Sequence, residues 1–189
     1  AVVLAGHTFD LTRRYSSVDA NLDGAFGFGW HFAGLEPQIT TNVLPSGLEA
    51  QGIFSAFRPN TRLFLTLPDG RRAGFSFTPT ATVAGNRTIF QPAWTADAGV
   101  DFTLSSSVAQ LEMVNDEFRQ IGTGLPYNPA SGFFSLIDYA LTAPDGTQWL
   151  YDSTDGLKQI VTSGGQRIVA TDSGLIATDG SRLSFELDS

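Results

Sequence analysis

A repeated strand–turn–strand pattern is the feature that most restricts how this chain can fold. The pattern Leu-Thr-x-Pro-Asp-Gly occurs at residues 65–70 and again at 141–146. Proline presets φ and glycine accepts a positive φ, so Pro-Asp-Gly predicts a tight reversal of the chain. Apolar residues alternate along both flanks of each copy, from Leu63 to Phe77 and from Tyr139 to Asp152. Two β-hairpins, each with one buried face, are therefore predicted.

Regularly spaced glycines predict further hairpins toward the C-terminus. Gly156, Gly165 and Gly174 recur every nine residues and are followed by Gly180, with short apolar segments between them. This spacing is typical of a meander of short strands joined by glycine turns. The expected fold is all-β, with antiparallel hairpins or a meander in a twisted sheet or a sandwich-like arrangement.

The segment from Val108 to Ile121 admits two interpretations. Its apolar residues lie at helical spacing, Ser107 and Gln110 fit a capping box, and Gly122 would end the helix. Alternatively, residues 115–117 form a turn between two strands. The fold class therefore allows at most one short helix. No linker or charge run divides the chain, so residues 1–189 are expected to form a single β-rich domain, with the hairpin repeats at 139–189.

Composition excludes several classes of protein. Eleven Lys and Arg against nineteen Asp and Glu give a net charge of −8, which argues against nucleic acid as a partner. No apolar run approaches the length of about 18 residues that membrane insertion needs. Cysteine is absent, which removes disulfides and thiol chemistry. The pI of about 4.5 and a single lysine, Lys158, suit a secreted or cell-surface bacterial protein. With no starting Met and no signal peptide, the chain is interpreted as a segment of a larger protein.

An aromatic strand is predicted near the N-terminus. Between Gly24 and Phe32, four large aromatic residues alternate with glycine and histidine and would share one face: Phe26, Phe28, Trp30 and Phe32. A row of this kind is a large apolar surface and is expected to lie in the core.

A polar segment just before that strand predicts a calcium site. Its sequence matches the first half of a calcium loop, Asp-x-Asn-x-Asp-Gly, with candidate ligands Asp19, Asn21 and Asp23. The twelfth loop position is Trp30 in place of the usual bidentate Glu, so an acid from elsewhere, such as Glu36 or Asp10, would have to complete the site. The other interpretation is a polar connector between two strands.

Three aromatic residues, Trp94, Trp149 and Tyr127, are candidates for stacking on the sugar rings of surface glycans, with burial in the core as the alternative. No catalytic site is predicted. The chain has only two histidines, His7 and His31, and no Gly-x-Ser-x-Gly elbow. Several acids directly precede a glycine, as turn residues do: Asp23, Asp69, Asp145, Asp155 and Asp179.

Three stretches resemble proteins of the Rhs/YD-repeat family, which includes teneurin-like and insecticidal-toxin shell proteins. Residues 11–17 (Leu-Thr-Arg-Arg-Tyr-Ser-Ser) with 24–30 (Gly-Ala-Phe-Gly-Phe-Gly-Trp) resemble a pattern near the start of such repeat regions. Residues 144–160 resemble the Tyr-Asp-x-x-Gly-x-Leu-x-x-Ile repeat, with one extra residue before the glycine. Residues 174–188 resemble a degenerate repeat. The likeness is to the N-terminal part that leads into the repeat region.

The resemblance implies a structural role. In that family, hairpin units stack into a sheet wall that encloses a toxic region or forms a surface scaffold. The family's self-cleaving core carries an Asp-Pro pair, which this chain lacks, so self-cleavage is not expected. The leading expectation is a non-catalytic module that forms or caps a β-sheet scaffold beside neighbouring domains of a larger secreted or cell-surface protein. The alternative is a calcium-stabilised carbohydrate-binding or adhesion module.

Overall fold

The computed structural model describes residues 2–9, 13–15, 23–24, 27–28, 30–32, 35–133, 137–171 and 173–184. The described chain is all-β, as the sequence predicts, and its only helical elements are two single-turn 3₁₀ segments, Glu49–Gln51 and Pro129–Ser131. No helix in these ranges has the length and apolar character needed to cross a membrane.

The strands are short and follow one another closely. In chain order they are β1 (Val2–Leu4), β2 (His7–Phe9), β3 (Arg13–Tyr15), β4 (Asp23–Gly24), β5 (Gly27–Phe28), β6 (Trp30–Phe32), β7 (Thr40–Thr41), β8 (Arg62–Thr66), β9 (Arg72–Phe77), β10 (Thr80–Ala84), β11 (Arg87–Gln91), β12 (Trp94–Ala96), β13 (Thr103–Ser106), β14 (Leu111–Val114), β15 (Glu117–Gln120), β16 (Tyr139–Thr142), β17 (Gln148–Asp152), β18 (Gly156–Val161), β19 (Arg167–Thr171), β20 (Gly174–Ala177) and β21 (Arg182–Ser184).

The largest sheet has seven antiparallel strands in the order β13-β16-β17-β18-β19-β20-β21. Apart from the step from β13 to β16, neighbours in the sheet are neighbours in the chain, so the predicted C-terminal meander is confirmed. One side chain from each of the first six strands joins a buried row across the sheet: Leu104, Leu141, Trp149, Ile160, Ile168 and Ala177. This row forms the centre of the larger apolar core.

A β-bulge between β17 and β18 explains an apolar spacing that does not fit a regular strand. Leu157 and Ile160 are three residues apart, which in a regular strand would place them on opposite faces. The register shifts here, with Ile160 opposite Trp149 and Leu157 opposite Tyr151. Lys158 is therefore the extra residue, and both apolar side chains are buried on the same face of the sheet.

A second sheet, β12-β9-β8-β7, contains the first predicted hairpin. Leu63, Leu65 and Leu67 are fully buried, whereas Phe64 on the opposite face is partly exposed, as the alternation predicts. A third sheet has the order β10-β11-β14-β15, and the remaining strands form the pairs β1-β2, β3-β6 and β4-β5.

The helical interpretation of residues 108–121 is wrong. The segment forms the hairpin β14–β15, in which Leu111 lies opposite Gln120 and Val114 lies opposite Glu117. The turn residues Asn115 and Asp116 both have positive φ, at 53° and 62°. Consecutive positive φ values define a two-residue hairpin turn and cannot occur inside an α-helix. The alternative interpretation, a turn at this position, is therefore confirmed.

Residues 35–41 form a strap that connects the seven-stranded sheet with the β12-β9-β8-β7 sheet. The carbonyl of Leu35 accepts a hydrogen bond from the amide of Leu157 in β18, at 2.9 Å. Two residues later, the carbonyl of Pro37 accepts from the amide of Thr66 at the end of β8, at 2.6 Å. The strap therefore joins the seven-stranded sheet to the β12-β9-β8-β7 sheet through backbone bonds.

The N-terminal hairpin β1–β2 packs on the C-terminal strands. Leu4 is buried in the larger core, and the amide of Ala5 donates to the hydroxyl of Ser181 at 3.2 Å. The ring of His7 meets the ring of Trp149 edge-on, with centroids 6.5 Å apart. Opposite ends of the sequence thus share one core.

The predicted aromatic strand falls only in part within the described residues. Gly27–Phe28 and Trp30–Phe32 are strands, paired with β4 and β3 respectively. Phe26 lies outside the described residues, and the description of these strands covers their backbone alone. Burial of the aromatic row therefore stays a prediction.

Candidate functional site

The seven-stranded sheet and its turns are the part of the molecule that corresponds best to the predicted module. Four turns have the same hydrogen bonds: 67–71, 143–147, 162–166 and 177–181. In each, the amide of the first residue donates to the carbonyl of the fifth, and the amide of the fourth donates to the carbonyl of the first, at 2.8 to 3.0 Å. Three of them end hairpins of the seven-stranded sheet, and the fourth is the Pro-Asp-Gly turn of β8–β9. The internal repeat seen in the sequence is thus one turn geometry used four times.

Three of these turns contain an aspartate that closes the turn. A carboxylate oxygen of Asp69, Asp145 or Asp179 accepts from the backbone amide two residues later, at 2.9 Å in each case. The hydrogen bond from the Thr147 amide lowers the pKa of Asp145. Hydrogen bonds from the hydroxyl and the amide of Ser181 lower the pKa of Asp179. These acids serve as turn residues, as the Asp-Gly pairs predict.

In β17–β18, the residues that resemble the repeat pattern are buried or stabilise the turn between the strands. Tyr151 is fully buried. The carboxylate of Asp152 is buried and accepts from the amides of Thr154 and Asp155, at 2.7 and 2.9 Å, which closes the turn between the strands. Gly156 has a φ of +79°, and a Cβ there would lie 2.9 Å from the carbonyl oxygen of Leu35. The glycine is needed both for the turn and for contact with the strap.

One buried acid was missed by the sequence analysis. Asp138 precedes β16, is 2% exposed, and its Oδ2 accepts from the amide of Ser153 at 2.8 Å. Burial raises the pKa of this carboxyl, and the nearby charge of Asp152 raises it further. The sequence around Asp138 does not signal its burial, because a neighbouring strand and the segment at Ser107 cover it. The Ser107 amide donates a hydrogen bond to the Asp138 backbone carbonyl.

A hydrogen-bonded aromatic group links the larger apolar core to a smaller second core, since Trp94 packs against both and Tyr127 belongs to the second. The buried residues of this second core are Phe57, Phe77, Leu111, Phe118 and Tyr127. The indole N–H of Trp94 donates to Oγ of Ser106, and Ser106 Oγ lies 2.9 Å from the hydroxyl of Tyr127. The Tyr127 hydroxyl also donates to the carbonyl of Ser107. Burial raises the pKa of Tyr127 to about 12, so the phenol stays protonated and can donate at neutral pH.

The structure does not arrange the three candidate glycan-binding residues as an exposed platform. Trp149 and Tyr127 are only 7% and 2% exposed. Trp94 is partly buried, and its ring packs against Phe57, Phe77 and Tyr139. Stacking on a sugar requires an open ring face. These rings instead supply apolar contact area to the cores, where Trp149 and Tyr127 are buried and Trp94 packs against both.

The predicted calcium ligands lie mostly outside the described residues. This applies to Asp19, Asn21 and Asp10, whereas Asp23 is placed only as the backbone of β4. Within the described ranges, no group of three or more His, Asp or Glu side chains is arranged to hold a metal ion. Calcium binding at this loop stays a prediction.

Comparisons with protein-family models, with curated proteins and with solved structures found no match to this chain.

Proposed function

We propose that this chain is a non-catalytic structural module of a large secreted or cell-surface bacterial protein of the Rhs/YD type, in which it forms or caps a β-sheet scaffold. The observation that carries the proposal is the seven-stranded meander, with its continuous buried row and its repeated turn geometry. Such a sheet can be extended by further hairpins, because each added strand pairs with the last strand and leaves a new strand edge free for the next one.

The two ends of this sheet differ in a way that supports a capping role. At one end, β13 lies beside β12 of the second sheet and is connected to it by residues 97–102. At the other end, among the described residues, β21 (Arg182–Ser184) pairs with β20 alone. We therefore expect further hairpins to add at β21 rather than at β13, as in a domain that leads into a repeat region.

The acids of the sheet also support a non-catalytic role. Asp145, Asp152 and Asp179 accept backbone N–H bonds at turns, and Asp138 is held by the Ser153 amide in a buried position. General acid or base catalysis needs a group within hydrogen-bond reach of a substrate. These carboxylates are instead turned toward their own backbone.

The proposal is tested by comparing this chain with a longer piece of its gene product that includes the next hairpin. We expect the amides of β21 to exchange at least tenfold more slowly in the longer protein, because their open side becomes paired. The amides of β10, at a different sheet edge, provide an internal control and should keep their exchange rates.

Two results would overturn the proposal. One is unchanged exchange at β21 together with separate melting of the added segment, which would show that the sheet does not continue. The other is a turnover activity that disappears in Asp138→Asn while the melting curve is unchanged, which would make the module catalytic.

A further inference from the structure

β10 (Thr80–Ala84) is an unprotected sheet edge. Within the part of the chain that the structure describes, it pairs with β11 alone, and all five of its residues are exposed, Val83 by 74%. Its sequence, Thr-Ala-Thr-Val-Ala, has no charge and no proline. Proteins usually protect edges with short strands, charged residues or proline. Here β7 has only two residues and β21 carries an arginine, whereas β10 has none of these protections.

The hairpin register shows which backbone groups of β10 are free for pairing. Ala84 lies opposite Arg87 across the two-residue turn, and the pairing continues without a shift to Thr80 opposite Gln91. In such a hairpin the residue pair that flanks the turn is hydrogen-bonded, and bonded and non-bonded pairs then alternate. Thr80, Thr82 and Ala84 therefore bond to β11, and the N–H and C=O groups of Ala81 and Val83 point away from it.

We propose that β10 pairs antiparallel with β10 of a second copy of this chain, about a two-fold axis at Thr82. In this register the two copies of Thr82 face each other, and Ala81 of each copy faces Val83 of the other. Both facing pairs of Ala81 and Val83 consist of residues whose backbone groups point outward, so four N–H···O=C bonds can form. A threonine pair directly across two strands is itself favourable. The strand is thus self-complementary in the way that a two-fold interface requires.

Charge does not oppose this pairing, although the chain carries −8 overall. The only charged residue in β10 and β11 is Arg87. In the dimer the two copies of Arg87 would lie three strand spacings apart across the sheet, about 14 Å, and four residues apart along the strands, about another 14 Å. Their separation of roughly 20 Å exceeds the Debye length of about 8 Å at physiological salt. No like charges are brought together, and the two four-stranded β10-β11-β14-β15 sheets become one continuous eight-stranded sheet. This inference does not depend on the proposed scaffold function.

A single introduced cysteine tests the register directly, since the chain has none of its own. Facing residues in a non-hydrogen-bonded pair have Cα atoms about 4.5 Å apart, which is within the range that a disulfide spans. Under mild oxidation we expect Thr82→Cys to form a cross-linked dimer at least tenfold faster than Val108→Cys, a control at a residue that is 99% exposed and lies outside β10. Equal rates for the two variants would overturn the proposal.

Charge substitutions provide a second test by sedimentation over micromolar to millimolar protein. We expect the unmodified chain to dimerise, and Thr82→Lys and Thr82→Glu each to remain monomeric, because like charges would meet at the two-fold axis. A mixture of the two variants should dimerise again. Thr82 is exposed, so both variants should keep the wild-type circular dichroism spectrum. A monomeric wild type at every concentration, or a dimer that survives Thr82→Lys, would overturn the pairing.

Discussion

Trp149 is a buried side chain of the larger apolar core, on strand β17 of the seven-stranded sheet. It lies in the buried row between Leu141 and Ile160, and its ring also contacts those of Phe102 and His7. Replacing it with alanine should lower the free energy of unfolding by about 3–5 kcal/mol, because a large cavity would remain. Urea denaturation measures this loss. Val169→Ala, on the outer face of the same sheet, should change stability by only about 0.5 kcal/mol or less; equal losses would contradict the core role of Trp149.

Asp138 makes stability depend on pH. Its pKa is raised in the folded state, chiefly by burial, so the folded protein holds this proton more tightly than the unfolded chain. Its contribution to stability is therefore full at acid pH and declines as the pH rises from the ordinary aspartate pKa through the raised value. Asparagine does not ionise, so Asp138→Asn does not lose this stability as the pH rises. We expect the variant to gain stability relative to wild type between pH 3 and pH 7, as measured by urea denaturation.

Asp145 provides a control of opposite sign for that measurement. Its pKa is lowered, chiefly by the amide of Thr147, so its contribution is full above the ordinary aspartate pKa and declines as the pH falls through the lowered value. Asp145→Asn should therefore lose stability relative to wild type as the pH rises over the same range. The same trend in both variants would show that overall charge, rather than the two local environments, sets the pH dependence.

At the scale of elements, the turn glycine Gly146 and the strand glycine Gly174, the first residue of β20, should differ in their tolerance of a side chain. Gly146 has a φ of +87°, and a Cβ there would meet no atom within 4 Å. Gly146→Ala should therefore cost only the backbone strain, about 1–2 kcal/mol, and Gly146→Asn should cost less, because asparagine tolerates this conformation. Gly174 has a φ of +142°, and a Cβ there would overlap the backbone carbonyl oxygen of Leu183. Gly174→Ala should lose more stability than Gly146→Ala in thermal melts; the reverse order would contradict the close β20–β21 contact.

The hairpins could be predicted from the sequence because their signals are local. Alternation and Pro-Asp-Gly place the turns at 68–70 and 144–146 correctly. Residues 108–121 were ambiguous because a four-residue strand, a two-residue turn and a second four-residue strand also place apolar residues three or four apart. The strand pairing and the positive φ of Asn115 and Asp116 distinguish the two structures, and neither can be read from apolar spacing. The bulge at Lys158 was equally hidden, since it depends on pairing with β17.

The candidate site was less predictable, because its features depend on contacts between distant residues. Trp94, Trp149 and Tyr127 have the composition of a binding platform, and only the packing of two sheets turns them inward. The burial of Asp138 likewise requires the Ser107 segment and β17 to meet beside it. Side-chain type shows what a residue can do, but exposure is determined by the tertiary fold.

At the scale of the whole molecule, substitutions at two adjacent residues test whether the N-terminal hairpin belongs to the larger core. Leu4 is 2% exposed and packs in the larger core, whereas its neighbour Val3 is 62% exposed. Leu4→Ala should lower the free energy of unfolding by about 2–5 kcal/mol, since it removes buried methyl groups and leaves a cavity. Val3→Ala should have an effect of about 0.5 kcal/mol or less. Chemical denaturation of both variants measures the difference, and similar small effects would mean that the hairpin does not belong to the core.

The contact between this hairpin and the last strands has a consequence for synthesis on the ribosome. Ala5 and its partner Ser181 are 176 residues apart. At a translation rate of about 5–20 residues per second, the hairpin emerges roughly 9 to 35 seconds before its partner does. The meander can fold from local contacts as each hairpin appears, but Leu4 and its neighbours must wait with their apolar surface uncovered. This hairpin is therefore buried long after it is made, and until then its apolar surface is open to chaperones and proteases.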